Sequence, residues 1–250
     1  MDKSKVEFLI SLSQEYETSN FIEGDPSWFM HQVKDPLNIE AVAFIASALS
    51  FGSRKAFMPK IRYICEEAKW DIVSYVSKGL FKKSFKKGDK RAFYRFFSNE
   101  TMYLFFHAYK EILKRHGSLG EAIKKSGSTD AVAAMRLISQ LFLDFGSIGV
   151  VPNGTTSACK RLAMFMRWMV RDGSEVDVGL WASFIDKRTL VLPLDTHVLA
   201  QSKKLGLINT KSSTMAVARR ITEVLAKYVF PDDPCRGDFA LFGYGINNKE

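Results

Sequence analysis

Apolar residues recur at spacings of three and four along most of the chain, and the pattern predicts a bundle of helices. Ile39, Val42, Ala43, Ala46 and Leu49 form one such stripe, opened by Pro36 and closed near Gly52. The same periodicity places further helices over 4–17, 58–77, 91–115, 129–145, 156–171, 196–205 and 213–229. Only 7 prolines and 16 glycines punctuate the 250 residues, and no repeat or low-complexity linker separates the helices, so one domain or two intimate lobes are expected.

The helix expected over 156–171 divides its faces sharply. Leu162, Phe165, Met166 and Met169 share a core side, whereas Lys160, Arg167 and Arg171 fall within about 20° of one line opposite, because spacings of seven and four complete whole turns. Such a row suits a phosphate backbone, and cationic neighbours lower a lysine's pKa until its neutral amine is nucleophilic. Lys160 is therefore the candidate nucleophile, against the alternative of a plain solvated basic stripe. Trp168 lies between the faces, as a core edge or a stacking platform. The preceding string FGSIGVVPNGTT, with Gly146, Gly149, Pro152 and Gly154, predicts a helix-loop-helix turn. Its glycines and the next helix N-terminus, capped by Thr155 or Thr156, are candidates to receive a phosphate.

A second signal is LVLPLDTHVLAQSKKLGL, residues 190–207. Pro193 excludes a preceding helix, Asp195 is placed to cap a new one, and Gly206 to end it. A third segment, Lys78 to Phe97, interleaves Lys78, Lys82, Lys83, Lys86, Lys87, Lys90, Arg91 and Arg95 with Phe81, Phe85, Phe93, Tyr94, Phe96 and Phe97. It is either a grip on nucleic acid, with cations on phosphates and a ring on a base, or a solvated connection whose aromatics belong to the core. The net charge of +9 and a pI near 9.4 favour a polyanionic partner.

The segment Leu194-Asp195-Thr196-His197, followed by Leu205-Gly206-Leu207, resembles the one that carries the essential aspartate in helix-hairpin-helix DNA glycosylases. Upstream, IASALSFGSRKAFMPKI (Ile45 to Ile61) is similar to the early helix of that superfamily whose Leu-Ser leads into a DNA-facing loop, and DFALFGYG (Asp238 to Gly245) is similar to its late helix. The likeness spans most of residues 36–245 and is most specific over 190–207; within the superfamily it resembles most an uncharacterised bacterial family near the archaeal 8-oxoguanine branch. The usual Leu-Pro-Gly-Val-Gly hairpin string is absent.

The resemblance implies an all-α fold of two lobes with a cleft between them, one lobe over about 36–189 and the other over 1–35 plus 190–250. It implies a base-excision glycosylase with lyase activity, Lys160 as nucleophile and Asp195 as carboxylate, acting on DNA with a flipped, damaged base, an oxidised purine among the candidates. Arg54, Lys55, Gly154, Arg167, Arg171 and His197 are the expected nucleic-acid contacts, and Phe51, Trp168, Trp181 and Asp238 the candidate base pocket. A non-catalytic nucleic-acid-binding protein of the same fold is the alternative. The three cysteines, Cys65, Cys159 and Cys235, form no iron-sulfur or zinc motif, and no HExxH or phosphate-binding glycine loop occurs, so neither metal nor cofactor is expected. No apolar run is long enough for a bilayer and no signal-peptide pattern opens the chain, so a cytoplasmic location is expected.

Overall fold

In the computed structural model, which describes residues 1–153 and 157–248, helices carry nearly all of the regular structure. Among the described residues these are α1 (Lys3–Tyr16), α2 (Pro36–Leu49), α3 (Arg54–Glu67), α4 (Ile72–Ser77), α5 (Asn99–His116), α6 (Leu119–Ser126), α7 (Ala131–Asp144), α8 (Lys160–Val170), α9 (Thr196–Lys204), α10 (Met215–Tyr228) and α11 (Gly237–Asn247), with an antiparallel hairpin of β1 (Ala92–Tyr94) and β2 (Phe97–Ser98). No helix among them is long and apolar enough to cross a membrane.

By packing, the chain divides into two units: Met1–Glu23, Thr129–Ala133 and Gly154–Glu250 form one, and Gly24–Ser128 with Ala134–Asn153 the other. These boundaries differ from those expected at 35/36 and 189/190. Residues 157–189 group with the first unit, where Arg171 at the end of α8 is tied to Glu17 and Asp233.

The second unit is organised around α2. Asp35 caps it by accepting from the Asn38 amide at 2.9 Å, Pro36 opens it, and every residue from Glu40 to Leu49 is buried. A helix apolar on all sides has no solvent face to offer, so it becomes the centre of its unit. Phe44 packs against Phe105 and Tyr109 of α5 and Phe142 of α7. The buried Glu40 accepts from the Leu119 and Gly120 amides at 2.8 and 3.0 Å, satisfying the N-terminus of α6.

In the first unit α8 holds the same central place, for Leu162 to Val170 are all buried. This corrects the expectation of a helix with one solvated face. Helix α11 packs on both α1 and α9. The segment Leu190 to Leu194 is buried throughout, with the Leu192 amide donating to Thr222 Oγ1 of α10 at 3.0 Å.

Three expected helices change form. The stripe over 58–77 breaks between α3 and α4, where Lys69 and Trp70 adopt positive φ (50° and 62°) and the Trp70 amide closes on the Cys65 carbonyl. The expected helix over 91–115 begins only at Asn99, because residues 92–98 form the hairpin and Ser98 caps α5 by accepting from the Thr101 amide. Helix α8 starts at Lys160 rather than 156, after Cys159 in a left-handed conformation (φ 47°); Thr155 and Thr156, the expected caps, lie outside the described residues.

Candidate active site

Asp195 reaches its position through local chemistry. The buried Leu190 to Leu194 segment delivers it to the start of α9, where its Oδ1 accepts from the Val198 amide at 2.8 Å. It is thus the N-cap that the sequence predicts, at the positive end of the helix dipole. Its other oxygen, Oδ2, accepts from Lys160 Nζ at 2.8 Å. Lys160 is the first residue of α8, 35 positions earlier, so two helix starts meet at one ion pair. Both side chains keep contact with solvent, at 39% and 28% exposure. Burial raises the Asp195 pKa, but the Lys160 ammonium, the Val198 amide and the His197 imidazole outweigh it and hold the carboxyl below its ordinary range.

The remaining cations of the stripe have another fate. Arg167 and Arg171 are buried at 3% and 1% exposure, so the expectation that they contact nucleic acid is corrected. Arg167 donates through Nε to Asp177 at 3.2 Å and through Nη1 to Asp238. Arg171 donates through Nη1 to Asp177, through Nε and Nη2 to Asp233 at 2.8 Å each, and through Nη2 to Glu17 at 2.6 Å. Burial lowers the Arg171 pKa and these carboxylates more than reverse it, so the guanidinium stays charged. Unpaired, either arginine would be excluded from the interior, and the carboxylates are what admit them. The periodicity that aligned Arg167 and Arg171 carries no information about Asp177, just beyond the helix, or about Glu17 and Asp233 from distant segments, and none of the three was anticipated.

Asp238, in the first turn of α11, lies close enough to feel the charges of Asp195 and Lys160 as well as that of Arg167. Burial pushes its carboxyl up and Asp195 adds to that, against the pull of Arg167. Lys160, Asp195 and Asp238 are therefore three predicted residues that share one electrostatic neighbourhood. Trp168 and Trp181 do not join them as open pocket walls, because Trp168 is fully buried and Trp181, at 2% exposure, packs edge-on against Phe165 at 5.2 Å. They are core residues, which corrects the base-pocket expectation for both. His197 is exposed in the first turn of α9.

Three candidates belong to the other unit. Arg54 and Lys55 are exposed at the start of α3, with Arg54 on Asp25 at 3.3 Å. Phe51 is half-buried, stacked with Phe96 and edge-on to Tyr94 and Phe97. Gly154 lies outside the described residues. No cluster of three or more His, Cys, Asp or Glu side chains with metal-holding geometry occurs among the described residues.

Fold and site together define a mainly helical protein in which a lysine amine and a helix-capping carboxylate are paired at a partly open position. The chain belongs to the family described as "Protein of unknown function (DUF2400)", whose model matches residues 25–247. Neither the curated proteins nor the solved structures contain a match to it.

Proposed function

We propose that this protein is a DNA glycosylase of the helix-hairpin-helix type with lyase chemistry, acting on a damaged base flipped out of a duplex. The observation that carries the reading is the 2.8 Å hydrogen bond from Lys160 Nζ to Asp195 Oδ2 at a partly solvent-open position. Asp195 takes a proton from Lys160, and the neutral amine attacks the anomeric carbon of the sugar. A C–N bond forms from Nζ as the glycosidic C–N bond breaks, its electron pair leaving with the base, which is then protonated. Asp195 passes that proton to the departing base, and the carboxylate so restored stabilises the positive charge that builds on the sugar. Opening of the sugar ring gives a protonated imine, whose elimination reaction cuts the strand.

The motif likeness around residues 190–207 supports this reading from the sequence side. With Arg167 and Arg171 committed to carboxylates, phosphate contacts fall to exposed residues such as His197, Arg54 and Lys55.

The test is covalent trapping. Duplexes carrying 8-oxoguanine, uracil, an oxidised pyrimidine or an abasic site are incubated with the protein and borohydride, which reduces the imine to a stable secondary amine. The expected result is a cross-link with at least one substrate, absent in Lys160→Ala and strongly reduced in Asp195→Asn. An absence of both trapping and base release across the panel overturns the reading in favour of a binding protein without this chemistry.

A further inference from the structure

The stretch from Lys78 to Arg95 puts all eight of its cations on the surface, while Phe81, Phe85, Tyr94 and Phe97 are core residues. Phe96 breaks this division. It occupies the second position of the two-residue turn between β1 and β2 and is 76% exposed, the most open large apolar side chain among the described residues. Isolated exposed apolar residues are common and mean little. Phe96 is not isolated, because its ring stacks on Phe51 (centroids 5.8 Å apart, planes 18° from parallel) and the Arg95 guanidinium lies over both rings, at 5.3 Å from Phe96 and 5.6 Å from Phe51.

The tip is held in this form from beneath. Arg95 adopts positive φ (51°), disfavoured for a residue with a side chain, and the Tyr94 hydroxyl donates to the Phe51 carbonyl. Gly52, at φ 84°, lets the loop nest against the tip, since a Cβ there would strike the Arg95 guanidinium and the Tyr94 hydroxyl. The result is a preformed, roughly triangular cluster of two rings and a guanidinium whose Phe96 corner is open to solvent, with Lys82, Lys83, Lys86 and Lys87 exposed on the same sequence segment. Solvent-exposed aromatic rings and solvent-exposed cations are the features that bind unstacked bases and their phosphates.

We infer that the β1–β2 tip is a nucleic-acid contact in which Phe96 stacks on an unpaired base, with the exposed lysines of the preceding segment on the phosphates. This rests only on the nucleic-acid part of the function proposed above and needs none of the Lys160 chemistry. The probe is a lesion-free thymine oligonucleotide, single-stranded, with one 5-iodouracil for photo-cross-linking, tested on the full-length chain. Phe96→Ala is expected to weaken binding by about five- to a hundredfold, the range stacking on one base supplies, with the salt dependence unchanged because no charge is lost. Phe96→Tyr retains a ring and is expected to bind within about twofold of the wild type. Replacing Lys82, Lys86 and Lys87 together by alanine is expected to reduce the slope of log affinity against log salt by about 2. The wild-type cross-link is expected on Phe96. Since the residue is exposed, an unchanged thermal melt for Phe96→Ala separates lost contact from lost fold. Binding of Phe96→Ala within twofold of wild type, a cross-link elsewhere, or no wild-type binding overturns the inference. Trapping on lesion duplexes separates the two proposals: trapping without Phe96-dependent binding sinks this one alone, and Phe96-dependent binding without trapping sinks the glycosylase alone.

Discussion

Lys160 and Arg171 stand on nearly one line of the same stretch of chain, and each meets a carboxylate, yet the two ends of that line are built differently. At Arg171 three carboxylates from Glu17, Asp177 and Asp233 enclose a guanidinium at 1% exposure, with both Arg171 and Asp177 removed from solvent. At Lys160 one carboxylate faces one amine, both keep water contact, and the carboxylate is already occupied as a helix cap. A closed cluster holds its charges in one arrangement. An open pair leaves both atoms within reach of solvent, with a proton shared along one hydrogen bond. The lesson is that helical spacing places charges on a line without determining their use, which depends on what approaches from elsewhere in the chain.

The contrast is most severely tested by deleting one cation at each end. Arg171→Ala leaves Glu17, Asp177 and Asp233 without their common partner, and is expected to cost about 3–5 kcal/mol in urea unfolding. Lys160→Ala, at a partly exposed pair, is expected to cost less than about 1 kcal/mol while abolishing borohydride trapping. Equal losses of stability would mean that both ends serve the fold.

A smaller effect separates the two roles of Asp195. Asn is as good a cap as Asp, so Asp195→Asn is expected to retain the Val198 hydrogen bond and unfold within about 0.5 kcal/mol of wild type, whereas Asp195→Ala loses the cap at about 1 kcal/mol. Both are expected to trap poorly, since neither keeps the carboxylate. Full trapping by Asp195→Asn would leave Asp195 as a cap and nothing more.

Much of this architecture was legible because it is local. The edges of α1, α7, α9 and α10 fall within two residues of the periodic stripes, and the Asp195 cap and Gly206 stop are read directly from residue type. The break at Lys69 and Trp70 was hidden, for neither residue carries the glycine signal that a positive φ usually leaves. The hairpin over 92–98 was hidden too, since its aromatics satisfy a helical stripe as well as the core of a short ribbon. At the site, the Lys160 to Asp195 pairing was anticipated from motif likeness, but the burial of Arg167 and Arg171 was not. Their partners are 62 to 154 residues away from Arg171 and 71 from Arg167, except Asp177, and only the folded chain assembles them.

The finest division lies between the two carboxyls that share the neighbourhood of Lys160, and it has a definite sign. Asp195 is held below the ordinary value of 3.8, so between that value and its folded pKa the unfolded chain binds the extra proton and stability rises with pH. Its contribution is present above about pH 4 and is lost as pH falls through the folded value. Asp238 is pushed above 3.8, chiefly by burial, so the folded chain binds the extra proton and stability falls as pH rises from 3.8 through the raised value. Urea unfolding of wild type, Asp195→Asn and Asp238→Asn over about pH 3 to 7 tests this. The advantage of wild type over Asp195→Asn is expected to grow with pH, and that over Asp238→Asn to shrink. Difference curves with the same slope would mean that Lys160 and Arg167 treat the two carboxyls alike, and that Asp238 ionises as readily as the carboxylate proposed to do the chemistry.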